Sequence, residues 1–545
     1  MNQTRQSDNY PGDSGPKVQP AFDVLDMNNY RVEKLRKSKK VGFERWMEIL
    51  GGPLAVVVFI AIYFFADISF LNQINPDLLG EKALKRYQEL GSEQFSRINY
   101  AMLAIFAASI VLWITEAIPN YLTSLLVIIT IVLTGITSEK TAYAQLGHPV
   151  MWLNILSFVL ASMLVATRVA KRFALWFVIR FGKNATWIFF SFIVINIVLS
   201  MFISATTAKA TILLPIFMVI AAIYGAGPDK RNNFGRNIVL QNLFQINIGA
   251  SGFITGSGAN LLAGSLIAGA MGKSIFGYQD WFIAAFPLCI IIIMIGWVVG
   301  TKIIFPMKPE EQKPQIEGGM QRLKDEYHAL GKMTVNEYKA IAIFVIVLLL
   351  WATDKQHGIS QTAVAFMGAV VALLPGIGIV KWNDVDIPWH LMLFSAGAYT
   401  LGTGLEVTDL PAIAVDSAFN HFGISEQTPF WLLYVVLTFV MMFSGLIFQS
   451  KTMRTLIFIP IAIGVAQKFG YPVMSLAFPL ALLIEHVYVL PFNSKPAALL
   501  YTTNHYSISD SFKFGIVMMT ISWLLVLVWG ETVLKWLGYT NGLFF

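Results

Sequence analysis

The sequence predicts an all-α polytopic membrane protein, built as an inverted repeat with two re-entrant hairpins and two broken helices. Three observations lead there. The 545 residues are 56% hydrophobic and 13% charged, about half the charge of a soluble chain. Apolar runs of membrane-spanning length recur throughout. Short motifs of small and polar residues return in the second half in the same order, at offsets of about 240 residues.

The elements follow in order. Residues 1–50 form a polar tail ending in "YRVEKLRKSKKVGFERW", a basic segment suited to an anionic inner membrane surface. A plain topological stop signal would look the same. Residues 51–97 hold the first span ("PLAVVVFIAIYFFADISF" from Pro53) and an external loop. The first repeat is expected over 98–305. It has spans near 98–118, 119–137 and 150–168, then a hairpin over 185–223 that is apolar at both ends and polar in the middle. A broken helix over 236–270 is interrupted by "GASGFITGSGANLLAG", and a span near 280–305 closes the half. Residues 306–336 are a charged cytoplasmic linker. The second repeat, 337–538, mirrors this: spans near 337–354, 359–379 and 388–405, a hairpin over 428–467, a broken helix over 471–502 interrupted at "LPFNSKPAA", and a span near 512–538. The total is about eleven spans.

The halves share residues as well as layout. "WITEAIP" at Trp113 answers "WATDKQH" at Trp351, and "LTGI" answers "LPGI". "SAT" at Ser204 answers "SKT" at Ser450, and "GSGAN" at Gly256 answers "NSKPA" at Asn493. Counting the hairpins as re-entrant gives each half an odd number of crossings, which inverts one against the other.

The net charge of +7 reads as topology rather than as a nucleic-acid surface. Lys and Arg gather in the tail, in "TRVAKRFALWFVIRFGK", in "PDKRNNFGR" and in the linker, which places the amino terminus in the cytoplasm and the carboxyl terminus outside. The loop 406–427 has neither residue and falls outside. The loop 71–97, with Lys82, Lys85, Arg86 and Arg97, goes against the pattern. The single cysteine, Cys289, excludes disulfides within the chain and cysteine-rich metal sites. No paired carboxylates, metal-ligand spacing or nucleophile–base constellation stands out, which argues against an enzyme or a cofactor.

Broken helices in matching positions are the build of secondary transporters, with the binding site at the breaks. Irregular backbone at membrane depth is tolerated only inside protein or beside water, and helix ends there present amides that attract anions. The breaks here are "SATTAKAT" with "TGSGAN", and "SKTMRT" with "FNSKPA". Candidate anion ligands are Ser204, Thr206, Thr207, Ser257, Asn260, Ser450, Lys451, Thr452, Ser494 and Lys495. The competing reading is that these hydroxyls bond carbonyls of their own helices. Lys209 and Arg454 are cations in apolar sequence, where each is costly. They either belong to the site, snorkel to an interface or pair with a structural acid. Glu485 and His486 precede the second break, as a counter-ion, a proton carrier or an interfacial pair.

These motifs resemble those of the divalent anion:sodium symporter family, the INDY-type di- and tricarboxylate transporters. "SATTAKATILLP" and "SKTMRTLIFIP" look like its paired Ser-Asn-Thr hairpin tips, and "GSGAN" and "NSKPA" resemble its paired Thr-Pro-Pro-Asn breaks. The resemblance covers roughly 98–538. It implies a homodimer in the cell membrane, a static scaffold, and a mobile unit of hairpins and broken helices that moves like an elevator. It also implies substrates such as succinate, malate, fumarate, 2-oxoglutarate or citrate. This chain departs from the family pattern where sodium-coupled members hold Na⁺ and substrate. The family's Asn is Ala205 in the first tip and Lys451 in the second, a Pro-Pro is Gly258-Ala259, and the second break has Lys495 and Ala497. Ser200, Ser204 and the Gly256 region could furnish part of one sodium site, while the matching upstream position in the second half, Leu446, offers no side-chain oxygen. The resulting expectation is that Lys209, Lys451, Arg454 and Lys495 stand in for sodium and that the protein exchanges C4 and C5 dicarboxylates without Na⁺. Na⁺- or H⁺-coupled di- or tricarboxylate symport is the rival within transport, and an anion channel the rival from another class.

Overall fold

A computed structural model describes residues 23–30, 42–228, 230–273, 276–422, 428–448 and 450–543. The basic stretch 31–41 and the end of the loop 406–427 lie outside them. Helices make up nearly all the regular structure. α1 (Gly42–Ile60) begins well before the expected span and continues as a π-turn over Ala61–Phe65. Next come α2 (Ser92–Thr115), α3 (Asn120–Leu133), α4 (Pro149–Ala166) and α5 (Val169–Phe181). α6 (Ala185–Phe202), α7 (Thr206–Ile223), α8 (Asn233–Ser251), α9 (Gly258–Ala270) and α10 (Tyr278–Val298) complete the first stretch. The linker carries α11 (Gly319–Ala329). The second stretch has α12 (Val335–Ala352), α13 (Gln361–Leu373), α14 (Trp389–Thr408), α15 (Leu410–Phe422) and α16 (Phe430–Ser444). It ends with α17 (Lys451–Lys468), α18 (Val473–Leu482), α19 (Lys495–Tyr501) and α20 (Ile508–Glu531). Among the described residues seven helices are long and apolar enough to cross a membrane, and six shorter ones are apolar, where the sequence suggested about eleven spans.

Two helices were read from sequence as loops. α5 and α15 are 13 residues each, too short to span. Each enters through a non-glycine residue in the left-handed region, Arg168 at φ 60° and Asp409 at φ 51°, an uncommon conformation. Their mixed polar and apolar composition is one that hydropathy alone cannot separate from a loop.

α2–α10 and α12–α20 (α11 being the linker) present the same element order twice, and the backbone repeats in detail. Left-handed residues recur in pairs: Gly135 with Gly376, Arg168 with Asp409, Gly225 with Gly470, and Gly272 with Asn504. α7 and α17 each contain a proline, Pro215 and Pro460.

The breaks have local causes. Asn232 caps α8, its side chain accepting the Gly235 N–H at 2.7 Å. The helix ends at Ser251, and a 3-10 turn over Ile254–Gly256 brings the chain back on itself. A Cβ at Gly256 would lie 2.2 Å from the Ala250 carbonyl oxygen, so only glycine permits this return. Ser257 then caps α9 and Ser494 caps α19 with nearly identical backbones, φ −156°, ψ 157° and φ −157°, ψ 156°. Each serine oxygen accepts an amide three residues on at 3.3 Å, a standard N-cap. Pro496 fits the first turn of α19, where no amide hydrogen is needed.

Packing crosses the halves. α9 packs on α17 and α18, while α7 and α8 pack on α19. α3 packs along α14, and α1 lies against α2. The four breaks therefore meet in the middle of the molecule.

Candidate functional site

A cavity of about 1250 Å³ opens where the breaks converge, ample for a small-molecule ligand. Ser204, Thr206, Thr207, Ser257, Ser450, Lys451, Thr452, Ser494 and Lys495 all line it. Asn260, Lys209, Arg454, Glu485 and His486 do not line it; all five are buried. Asn260 braces the first break, its amide donating to the carbonyls of Ala250 (2.9 Å) and Phe253 (3.0 Å).

Lys209 and Arg454 hold the same place in the two halves. Each is the fourth residue of its helix, six before the proline. Each is fully buried and turns back to a serine on the preceding limb. Lys209 Nζ donates to Ser200 Oγ at 2.9 Å and to the Ile246 carbonyl at 3.2 Å. Arg454 Nε donates to Ser444 Oγ at 3.0 Å, and its other nitrogens reach the carbonyls of Ile484 (3.1 Å), His486 (3.4 Å), Leu483 (3.4 Å), Met442 (3.5 Å) and Met441. Neither cation has an ion pair with a described residue. Both join a hairpin limb to the end of a broken helix's first piece.

The partner of Ser200 in the second half is thus Ser444, not Leu446. Counting a fixed four residues back from each tip serine fails because α16 stops at Ser444 and a turn over 445–447 lengthens the second tip. The second half therefore keeps a side-chain oxygen there. Lys451 and Lys495 are disposed differently from each other. Lys451 Nζ pairs with Glu485 Oε2 at 2.6 Å, and Lys495 is exposed on the cavity wall. Glu485 takes a second hydrogen bond on Oε1 from the Ser257 hydroxyl. A hydroxyl donating there and accepting the Asn260 amide is already occupied on both counts. His486 gives its carbonyl to Arg454, and its ring nitrogens have no partner among the described residues.

The mouth brings in residues sequence reasoning passed over. Glu116, Asp384, Asp386 and His390 line it. Glu116 lies within the "WITEAIP" repeat, while Asp384, Asp386 and His390 belong to no motif. The hydroxyls of Ser204, Thr206, Ser450 and Thr452 make no hydrogen bond to a described group and face the cavity. The arrangement offers an anion several donors under a layer of buried cations.

Residues 92–540 match the family model described as the sodium:sulfate symporter transmembrane region. A sodium-dependent high-affinity dicarboxylate transporter 3 from Caenorhabditis elegans is 24% identical over 76% of this chain and 80% of its own length. The sodium-dependent dicarboxylate transporter SdcS of Staphylococcus saprophyticus is 23% identical over 80% of this chain and 87% of its own. A protein of Cupriavidus necator described as a membrane protein is 26% identical over 80% of this chain and 88% of its own. The crystal structure of the Alcanivorax borkumensis YdaH transporter, 11% identical, covers 92% of this chain and 98% of that one at a TM-score of 0.48. The chain is a multi-pass membrane transporter, not an enzyme, and belongs to the family defined by that sodium:sulfate symporter transmembrane region.

Proposed function

We propose that the protein transports C4 and C5 dicarboxylates such as malate, succinate, fumarate and 2-oxoglutarate, by Na⁺-independent exchange. The observation that carries this reading is the matched pair of fixed cations, Lys209 and Arg454, each held by neutral acceptors. In a sodium symporter the cation arrives and leaves with the substrate. Here two positive charges stay when the substrate has gone. At a conservative ~2.5 kcal/mol for each charge crossing the bilayer, an empty site would face a barrier raised by about 5 kcal/mol. That slows empty return by more than about a thousandfold, so only loaded carriers cycle. Lys451, neutralised by Glu485, and Lys495, exposed to water, add nothing to this barrier.

The dicarboxylate lies in the cavity, its carboxylates held by Ser204, Thr206, Thr207, Ser450 and Thr452, with Lys451 and Lys495 beside them and the Ser257 and Ser494 caps below. α2–α10 and α12–α20 act as inverted repeats, spanning 98–305 and 337–538. The hairpins and broken helices move as an elevator against a scaffold that includes α3 and α14. The protein works as a homodimer, with the amino terminus in the cytoplasm and the carboxyl terminus outside.

A second reading, Na⁺-coupled dicarboxylate symport, is favoured by two relatives named as sodium-dependent dicarboxylate transporters. Proteoliposomes separate the two. Exchange requires labelled succinate to enter preloaded vesicles, with or without Na⁺, and not empty ones. Rapid net uptake into empty vesicles that depends on Na⁺ overturns exchange in favour of symport.

A further inference from the structure

Glu485 is an odd residue to find under an anion site. It is fully buried just past the end of α18, and both its oxygens are held, one by Ser257 from the first half and one by Lys451 from the second. It does not line the cavity, but Lys451 does, 18% exposed. Arg454 donates to the carbonyls on either side of Glu485, those of Ile484 at 3.1 Å and His486 at 3.4 Å. The ring nitrogens of His486 beside it have no partner among the described residues. The cluster thus sets one carboxylate, Glu485, among three basic side chains, Lys209, Lys451 and Arg454. Structural cohesion alone does not need the carboxylate, because Lys209 and Arg454 are satisfied by hydroxyls and carbonyls without it.

We infer that Glu485 sets the valence of the anion this site accepts, by removing one positive charge from the cluster and so matching it to a dianion against a trianion of similar size. The inference rests on the dicarboxylate reading of the cavity. Its physical basis is that charge left uncompensated in a low-dielectric site is costly, so a ligand is favoured when its charge cancels the fixed charge. That effect acts through space and needs no contact between Glu485 and ligand. Glu485 is thus a specificity-determining group that works through Lys451 and through the summed field.

Binding of succinate and of citrate to the purified full-length protein tests this, at mildly alkaline pH where every carboxyl is ionised. The measured quantity is the ratio of the two affinities. Glu485→Gln raises the net charge and should shift the ratio about tenfold or more toward citrate. Lys451→Gln lowers it and should shift the ratio toward succinate. The double variant E485Q/K451Q keeps the wild-type net charge and should return the ratio to the wild-type value. Equal ratios across the folded variants overturn the inference alone, as does a Glu485→Gln ratio that the second substitution leaves unchanged. If Glu485→Gln does not fold, the double variant must still favour citrate more than Lys451→Gln does, and equality there overturns the inference. Wild-type protein that binds neither anion overturns the dicarboxylate reading and this inference with it.

Discussion

In the first hairpin Lys209 reaches two neutral acceptors, whereas in the second Arg454 gathers six. The backbone around them repeats closely, down to the cap angles of Ser257 and Ser494. What differs is the chemistry hung on it. The second half has a guanidinium whose fork satisfies several carbonyls at once, and it adds the Lys451–Glu485 pair. The first half answers with a single amine and lends its Ser257 hydroxyl across to Glu485. The two halves thus differ in charge while staying alike in element order.

The largest expected effect tests that difference. Arg454→Met strands several buried carbonyls and should destabilise the protein by about 3 kcal/mol or more. Lys209→Met strands one carbonyl and one hydroxyl and should cost less, roughly 1.5–3 kcal/mol. Thermal unfolding of the purified protein ranks them, and a Lys209 variant as damaged as the Arg454 variant would break the comparison. Next come the caps. Ser494→Ala should lose about 1 kcal/mol, the worth of an N-cap. Ser257→Ala should lose that plus a bond to a charged group, roughly 1.5–3 kcal/mol more. Equal melting temperatures would mean the Ser257–Glu485 contact contributes nothing. The smallest effect on stability concerns the hydroxyls that face the cavity. Thr206→Ala and Thr452→Ala should each weaken dicarboxylate binding about tenfold with little change in folding. Calorimetric titration with succinate would show it, and unchanged affinity in both would remove these threonines from the site.

Much of this was legible in the sequence, because breaks in apolar runs are conspicuous. "SATTAKAT" and "GSGAN" announce themselves as small polar residues where hydrocarbon is expected, and the cavity is lined by the tip and cap residues picked from them. Side-chain direction was not legible. Lys451 and Lys495 both sit inside motifs, yet one turns inward to Glu485 and the other outward to the mouth. Sequence spacing fixes neither. The Ser200–Ser444 equivalence was hidden by the longer second tip. α5 and α15 were hidden because a short mixed-composition helix and a basic or polar loop look alike in sequence. The acids of the mouth, Asp384 and Asp386, belong to no pattern at all and came together only through folding.

The two cation clamps have a consequence for how the chain is made. Every acceptor of Lys209 lies between residues 200 and 246, and every acceptor of Arg454 between 441 and 486. Each half can therefore satisfy the hydrogen bonds of its own buried cation as it emerges from the ribosome, without waiting for the other. The contacts that cross, α7 and α8 on α19 and Ser257 on Glu485, join parts of the chain more than 200 residues apart. They can form only after the last break has been synthesised. The newborn first hairpin thus has its cation hydrogen-bonded while its cavity is still incomplete, and the binding site is among the last things this protein builds.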